Sequence, residues 1–277
     1  MIAVQRKPRL SFGTVLFYVI LIVILLIVSF PILWMILGSL KTRTEILSSE
    51  NFLFFTVTSK NFEDVFIKYD FLFPMFNSFF IAVVSTGLSL VFGVPASYAI
   101  ARFRMTKLSI CILFARIIPG MIFLVPWFII FTKLGMVDTY LSLILTHMLI
   151  SLPFVVWILV PIFEMLPRDL EEAACIDGCT MAGSFVRIML PLSSTGIITS
   201  AILSFVFSWN NFMFALILTG PNTKTLPIAI FSFVSYAEIN WPGLMAAAVV
   251  ITAPIITISL ILQKYIISGL TAGAVKG

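Results

Sequence analysis

Side chains able to do polar chemistry are gathered most densely at residues 164–192, EMLPRDLEEAACIDGCTMAGSFVRIMLPL, where five of the chain's twelve acidic residues occupy the first fourteen positions. The carboxylates of Glu164, Asp169, Glu171, Glu172 and Asp177 have no histidine near them, and Cys175 and Cys179 have no further thiol or imidazole in the segment. That donor set does not make a zinc site. Nowhere does the chain carry a G-x-x-x-x-G-K-[ST] phosphate loop or a nucleophile elbow. What remains is docking chemistry: an acidic helical surface, kept slim by Ala173, Ala174 and Gly178, that suits a basic partner.

The elements that present this surface can be read locally. Pro167 marks the start, and Asp169 followed three residues later by Glu172 resembles a capping box, which predicts a helix over 169–176. Gly178 supplies a turn. Thr180 is placed to cap a second helix with Ala182, Phe185, Ile188 and Met189 on one face, and Pro191 limits that helix. Glu171 and Glu172 point about 100° apart on the first helix, so they need not share a partner.

Both flanks of the segment are apolar enough to cross a bilayer, and composition extends that statement to the whole chain. Of 277 residues 61% are hydrophobic and only 10% charged, with 28 Phe and a mean hydropathy of +1.15, whereas soluble domains carry about a quarter of their residues charged. The chain reads as an all-α polytopic membrane protein with six transmembrane helices, at about 12–37, 73–99, 108–131, 139–163, 193–218 and 244–266. The first apolar run is far longer than the apolar part of a signal peptide. With both termini and 164–192 placed inside, the inner segments hold ten Lys and Arg and the outer ones six, Arg116 unassigned. The net charge of +5 is thereby assigned to membrane orientation, with no nucleic-acid partner. Cys111, Cys175 and Cys179 form no disulfide framework.

The run EEAACIDGCTMAGSFVRIMLPL resembles the EAA loop of ABC importer membrane subunits, in the carbohydrate-uptake branch typified by the second maltose-transport permease. Glu172, Ala173, Ala174, Gly178, Ile188, Leu190 and Pro191 stand at that motif's spacing, and the ending GLTAGAVKG, residues 269–277, resembles the same branch. Cys175 and Cys179 depart from it, standing where small residues such as Ala are usual. The resemblance implies a type I ABC importer permease fold in which 164–192 is a cytoplasmic coupling loop seated in a cleft of the ATPase. The coupling residues would be Glu171, Glu172, Ala173, Ala174, Asp177, Gly178 and Pro191. Glu172 would face a basic ATPase residue, so its charge reversal is expected to do more harm than reversal at Glu171. It also implies that the tail 267–277 meets the ATPase through Gly273, Lys276 and Gly277.

Further implied are a homologous permease subunit, two ATPase subunits or domains, and an extracytoplasmic solute-binding protein. The chain would be non-catalytic and bind no cofactor itself, ATP and magnesium being used by the partner ATPase. It would lie in a prokaryotic inner or plasma membrane and serve a sugar or oligosaccharide. The alternatives are a permease for a polyol or glycerol-phosphate-type solute, a secondary transporter, and a non-conducting structural subunit.

Within the spans few polar groups stand out. Trp209, Asn210 and Asn211 form a polar-aromatic group suited to a gate or to the translocation pathway, since buried amides need partners and aromatic faces stack on sugar rings. Packing or gating is the expectation for them ahead of direct substrate contact. His147 reads as a neutral helix contact, and Arg116 as an interfacial side chain in a span that Pro119, Gly120 and Pro126 break.

Overall fold

The computed structural model describes residues 12–48, 54–234 and 239–271. The helices, in chain order, are α1 (Phe12–Ser39), α2 (Arg43–Leu47), α3 (Lys60–Glu63), α4 (Leu72–Arg102), α5 (Thr106–Ile117), α6 (Leu124–Lys133) and α7 (Tyr140–Met165). They continue as α8 (Asp169–Ile176), α9 (Met181–Ser184), α10 (Leu190–Leu192), α11 (Ser194–Trp209), α12 (Met213–Leu218), α13 (Leu226–Ala229) and α14 (Trp241–Thr271). Among the described residues the only β pairing is an isolated bridge, Val234 with Ile239.

Among the described residues four helices, α1, α4, α7 and α14, are each long and apolar enough to cross a membrane, and the number is up to six if each of two bent helix pairs counts as one span. The bend of 83° between α5 and Gly120–Lys133 has a local cause. Pro119 drives Ile118 into extended backbone at φ −68°, ψ 120°, and the helix stops there. The second bent pair, Met181–Leu192 with Ser194–Trp209, turns by 73° just after Pro191. The chain also breaks between α11 and α12, at Asn210–Phe212, with neither Gly nor Pro at the break. At the C-terminal side, helix α14 runs to Thr271, so the first five residues of the expected tail 267–277 are helical. A lone glycine such as Gly269 costs a helix only about 1 kcal/mol, too little to end it.

The chain divides into two compact units, 1–68 with 233–249 and 69–232 with 250–277. In the first, Asn61 donates its side-chain amide to the carbonyls of Ser39 and Lys41, both at 2.8 Å, fastening α3 to the end of α1. The buried Lys41 ammonium lies 5.1 Å from the Trp34 ring centre and 4.9 Å from that of Phe55. Thr42 and Glu45 form a reciprocal capping box on α2, and Glu45 also accepts the Thr56 amide at 2.9 Å. The Thr56 amide and then the Thr42 hydroxyl and amide hold the Glu45 carboxyl down at about 2.

The second unit is built on α4, α7 and α11. Small residues let these helices approach closely: a Cβ on Gly93 would stand 2.7 Å from Val155, and one on Gly196 would overlap Ile162. Val94, Val155, Leu159, Phe163 and Met189 form one apolar core and Ile81, Leu143, Phe214 and Leu218 another. A polar seam also joins the three helices, with His147 Nδ1 2.7 Å from the Ser208 hydroxyl and Ser208 3.2 Å from Ser85.

Candidate functional site

The 164–192 segment leaves α7 through Leu166 and Pro167 and forms α8 over the residues expected, Asp169–Ile176. Its start differs from the expectation. Arg168, not Asp169, is the N-cap: its carbonyl accepts the amides of Glu171 and Glu172, and its side chain makes no cap hydrogen bond. Asp169 therefore sits one position inside the helix. Asp169, Glu171 and Glu172 all lie in the first turn, where negative charge complements the helix dipole.

Glu171 and Glu172 part company. The Glu171 side chain is buried, with 6% of its surface exposed, and its carboxylate accepts Arg102 Nε at 2.9 Å. Arg102, at the end of α4, also donates to the Leu166 carbonyl at 3.1 Å, while Arg168 donates to the Arg102 carbonyl at 2.7 Å. The Met189 sulfur is 3.7 Å from Arg102 Nη2. One guanidinium thus ties together α4, the end of α7, α8 and the π-helical turn Phe185–Met189. Removing one partner of a buried pair leaves the other charge unsolvated, at a cost of about 3–5 kcal/mol. Within the loop's own fold Glu171 is thus the carboxylate that is buried and paired. Glu172 is exposed and open to a partner.

The outward surface of α8 carries Glu172, Ala173, Ile176 and Asp177, with Ile176 87% exposed, while Ala174 packs inward. Gly178, at φ +89°, turns the chain with its amide bonded to Cys175 O, and Cys179 N bonds Ala174 O. A side chain there would be strained in the left-handed region. Thr180 caps α9 as expected, accepting the Gly183 amide at 3.1 Å. On the following face Phe185 and Met189 pack inward, Phe185 against Tyr98 at 4.7 Å between ring centres, but Ala182, in α9 ahead of the π turn, is exposed. Pro191 lies exposed within α10, and Cys175 is exposed.

Trp209, Asn210 and Asn211 do not act as one group. Trp209 is buried, and its indole nitrogen donates to the Ile251 carbonyl at 3.1 Å. Asn211, one residue ahead of the α12 N-cap Phe212, accepts the Phe214 amide at 3.2 Å. Asn210 is exposed and lines a cavity of about 330 Å³ with Phe212, Pro227, Ile230, Phe231 and Ile251. Arg116 is exposed on α5, its guanidinium 4.6 Å from the Phe154 ring centre and 4.4 Å from that of Trp157. Gly273, Lys276 and Gly277 lie outside the described residues.

Two residues that matter here were not singled out from the sequence. Arg102 finds its partner 69 residues away. Asp138 counted only as the end of a loop, yet its carboxylate gathers the loop 220–223. It accepts the amides of Gly220 at 2.9 Å, Thr223 at 3.0 Å and Asn222 at 3.2 Å, and the side chains of Thr223 and Asn222 at 2.8 Å each. Asp138 itself stands at φ +60°, a region that Asp tolerates better than most residues.

These features define a polytopic helical membrane subunit with a helix-turn-helix projecting between α7 and α11. Residues 89–271 match the family of binding-protein-dependent transport system inner membrane components, and the chain belongs to that family. It is 35% identical to the trehalose/maltose transport system permease of Thermococcus litoralis, over 99% of this chain and 98% of that one. It is 37% identical to the sulfoquinovosyl glycerol permease of Agrobacterium fabrum (90% and 89% covered) and 36% to the trehalose permease of Mycobacterium tuberculosis (89% and 92%). The fold matches a solved bacterial ABC transporter involved in import of the acidic polysaccharide alginate, with a TM-score of 0.74, 20% identity, and 94% of this chain and 99% of that one covered. The chain is an ABC transporter permease of this family, a membrane-embedded and non-catalytic subunit.

Proposed function

We propose that this chain is one of two permease halves of an ATP-driven importer for a sugar or oligosaccharide. It forms the translocation pathway with a homologous permease and receives force from a separate ATPase through 164–192. The observation that carries this reading is the division of labour on α8. One side is locked to α4 and α7 through Arg102 and Glu171, and the other leaves Glu172, Ala173 and Ile176 uncovered. A surface so anchored cannot be pushed without moving the helices beneath it. Cytoplasmic placement of this segment and of both termini follows, with the solute-binding protein docking on the opposite side. ATP and magnesium act on the ATPase alone.

The relatives' names support a glycoside as substrate: trehalose and maltose in one, trehalose in another, a sulfonated glycosyl glycerol in a third. Asn210 is the polar group best placed to meet a solute, at the aromatic-lined cavity with Phe212 and Phe231. The test is uptake by the complete complex in proteoliposomes, with trehalose, maltose and a glycosyl glycerol offered in turn. ATP-dependent accumulation of at least one is expected, and its abolition by Glu172→Lys with the membrane subunits still inserted. Uptake of a glycoside without ATP, driven by an ion gradient, would overturn the reading.

A further inference from the structure

Beside the Arg102–Glu171 lock lies a cavity that the docking surface does not use. It holds about 520 Å³, within the usual range of about 300–1,000 Å³ for ligand pockets, between the end of α4, the first turn of α5 and the end of α7. Its polar walls are Arg102, Arg104, Arg168, Thr106, Ser109 and Glu164.

The charge balance is specific. Arg102 is neutralised by Glu171, and Glu164 offsets one of the two remaining arginines, so a single positive charge is left over. The Arg104 guanidinium makes no hydrogen bond or ion pair among the described residues. Its backbone stands at φ +51°, where a long side chain is unfavourable and glycine would be at ease. Thr106 and Ser109 add hydroxyls on the first turn of α5, a twelve-residue helix with no side-chain cap. A monoanionic phosphodiester meets these donors and this charge; a dianionic phosphate would exceed it.

The surroundings select the form in which that phosphodiester arrives. Above the pocket α5 buries none of its residues, and Leu108, Phe114 and Ile117 are exposed along it, as is Met165 on the pocket rim. A polar mouth continuous with an uncovered apolar helix fits an amphiphile whose head enters and whose chains lie along the helix.

We propose that this cavity binds the phosphate headgroup of an anionic phospholipid through Arg104, Arg168, Thr106 and Ser109, with its acyl chains against α5. The site lies apart from substrate handling and does not depend on which solute the importer carries.

The assembled transporter is purified with phosphatidylglycerol or phosphatidylcholine and weighed intact by native mass spectrometry. Phosphatidylglycerol should be retained with about a fivefold preference, the factor that one surface arginine contributes against an anionic headgroup. Arg104→Gly removes the guanidinium and relieves the backbone, so the complex should stay monodisperse and lose the preference, while Arg104→Lys keeps much of it. Unaltered retention in Arg104→Gly overturns the proposal. Equal retention of soluble glycerol 3-phosphate would show a free phosphate ester site instead of a lipid site. Loss of the ATPase from Arg104→Gly in lipid-free detergent would make the pocket a protein contact, which also overturns it.

Discussion

At one end of α4 and α7 the chain is fastened by an ion pair, Arg102 with Glu171, and at the other by a lone carboxylate, Asp138, surrounded by neutral donors. Both close a loop between spans, but they transmit different things. Arg102 reaches α8 and the end of α7 from α4, so displacement of α8 is displacement of three helices. Asp138 satisfies its own five contacts within 220–223 and holds one loop in shape. A connection that carries force and one that merely holds form can thus be told apart by what the charged group touches.

The largest expected effect breaks the first fastening. Arg102→Leu leaves Glu171 buried without a partner, at about 3–5 kcal/mol, and should strip the ATPase from the purified complex. Arg102→Leu with Glu171→Leu removes both charges and should recover most of the thermal stability, because a buried pair is worth little more than well-packed apolar groups. Failure of the double variant to recover would mean that the pair acts by more than mutual neutralisation.

Breaking the second fastening should cost less and stay local. Asp138→Ala removes charge-assisted hydrogen bonds in a partly exposed site, about 1–3 kcal/mol, read as faster amide exchange over 219–225 with ATPase binding unchanged. Burial by itself would raise the Asp138 carboxyl, but the Thr223 hydroxyl and the amides of Asn222, Gly220 and Thr223 outweigh it and hold the group below its ordinary 3.8. A lowered carboxyl stabilises the fold fully above its unfolded value and loses that contribution as pH falls through the folded value. Exchange over this loop should therefore be flat near neutrality and rise, beyond the intrinsic pH dependence, only in acid below about pH 4; Asp138→Asn should abolish that step.

The smallest effects separate two adjacent amides. Asn211→Ala removes the acceptor of the Phe214 amide and should cost about 1 kcal/mol, seen in the melting temperature. Asn210→Ala should leave stability within about 0.5 kcal/mol and change uptake instead, since its side chain faces the cavity. Equal melting shifts in the two variants would undo this division.

Much of the architecture was legible because its causes are local. Pro119 stops α5, Gly178 turns at positive φ, Thr180 caps α9, and 169–176 is helical with acidic residues in its first turn. The parts missed depend on residues far apart. Nothing near Arg102 announces Glu171, and the break at Asn210–Phe212 has no glycine or proline to mark it. The π turn at Phe185–Met189 likewise has no sequence signature. Helical spacing shows that Glu171 and Glu172 diverge, but the inward partner of Glu171 lies on α4 and is not legible from the segment itself.

The most direct test of an anchored inner face and a docking outer face uses the exposed Cys175 on α8. With Cys111 and Cys179 replaced by Ser, the rate of labelling by a water-soluble maleimide is measured for the permease pair alone and with the ATPase assembled. Seating of α8 should protect Cys175 strongly, and Glu172→Lys should restore labelling by placing like charges at the interface, a change of several kcal/mol. Equal labelling with and without bound ATPase would contradict the docking role of this face.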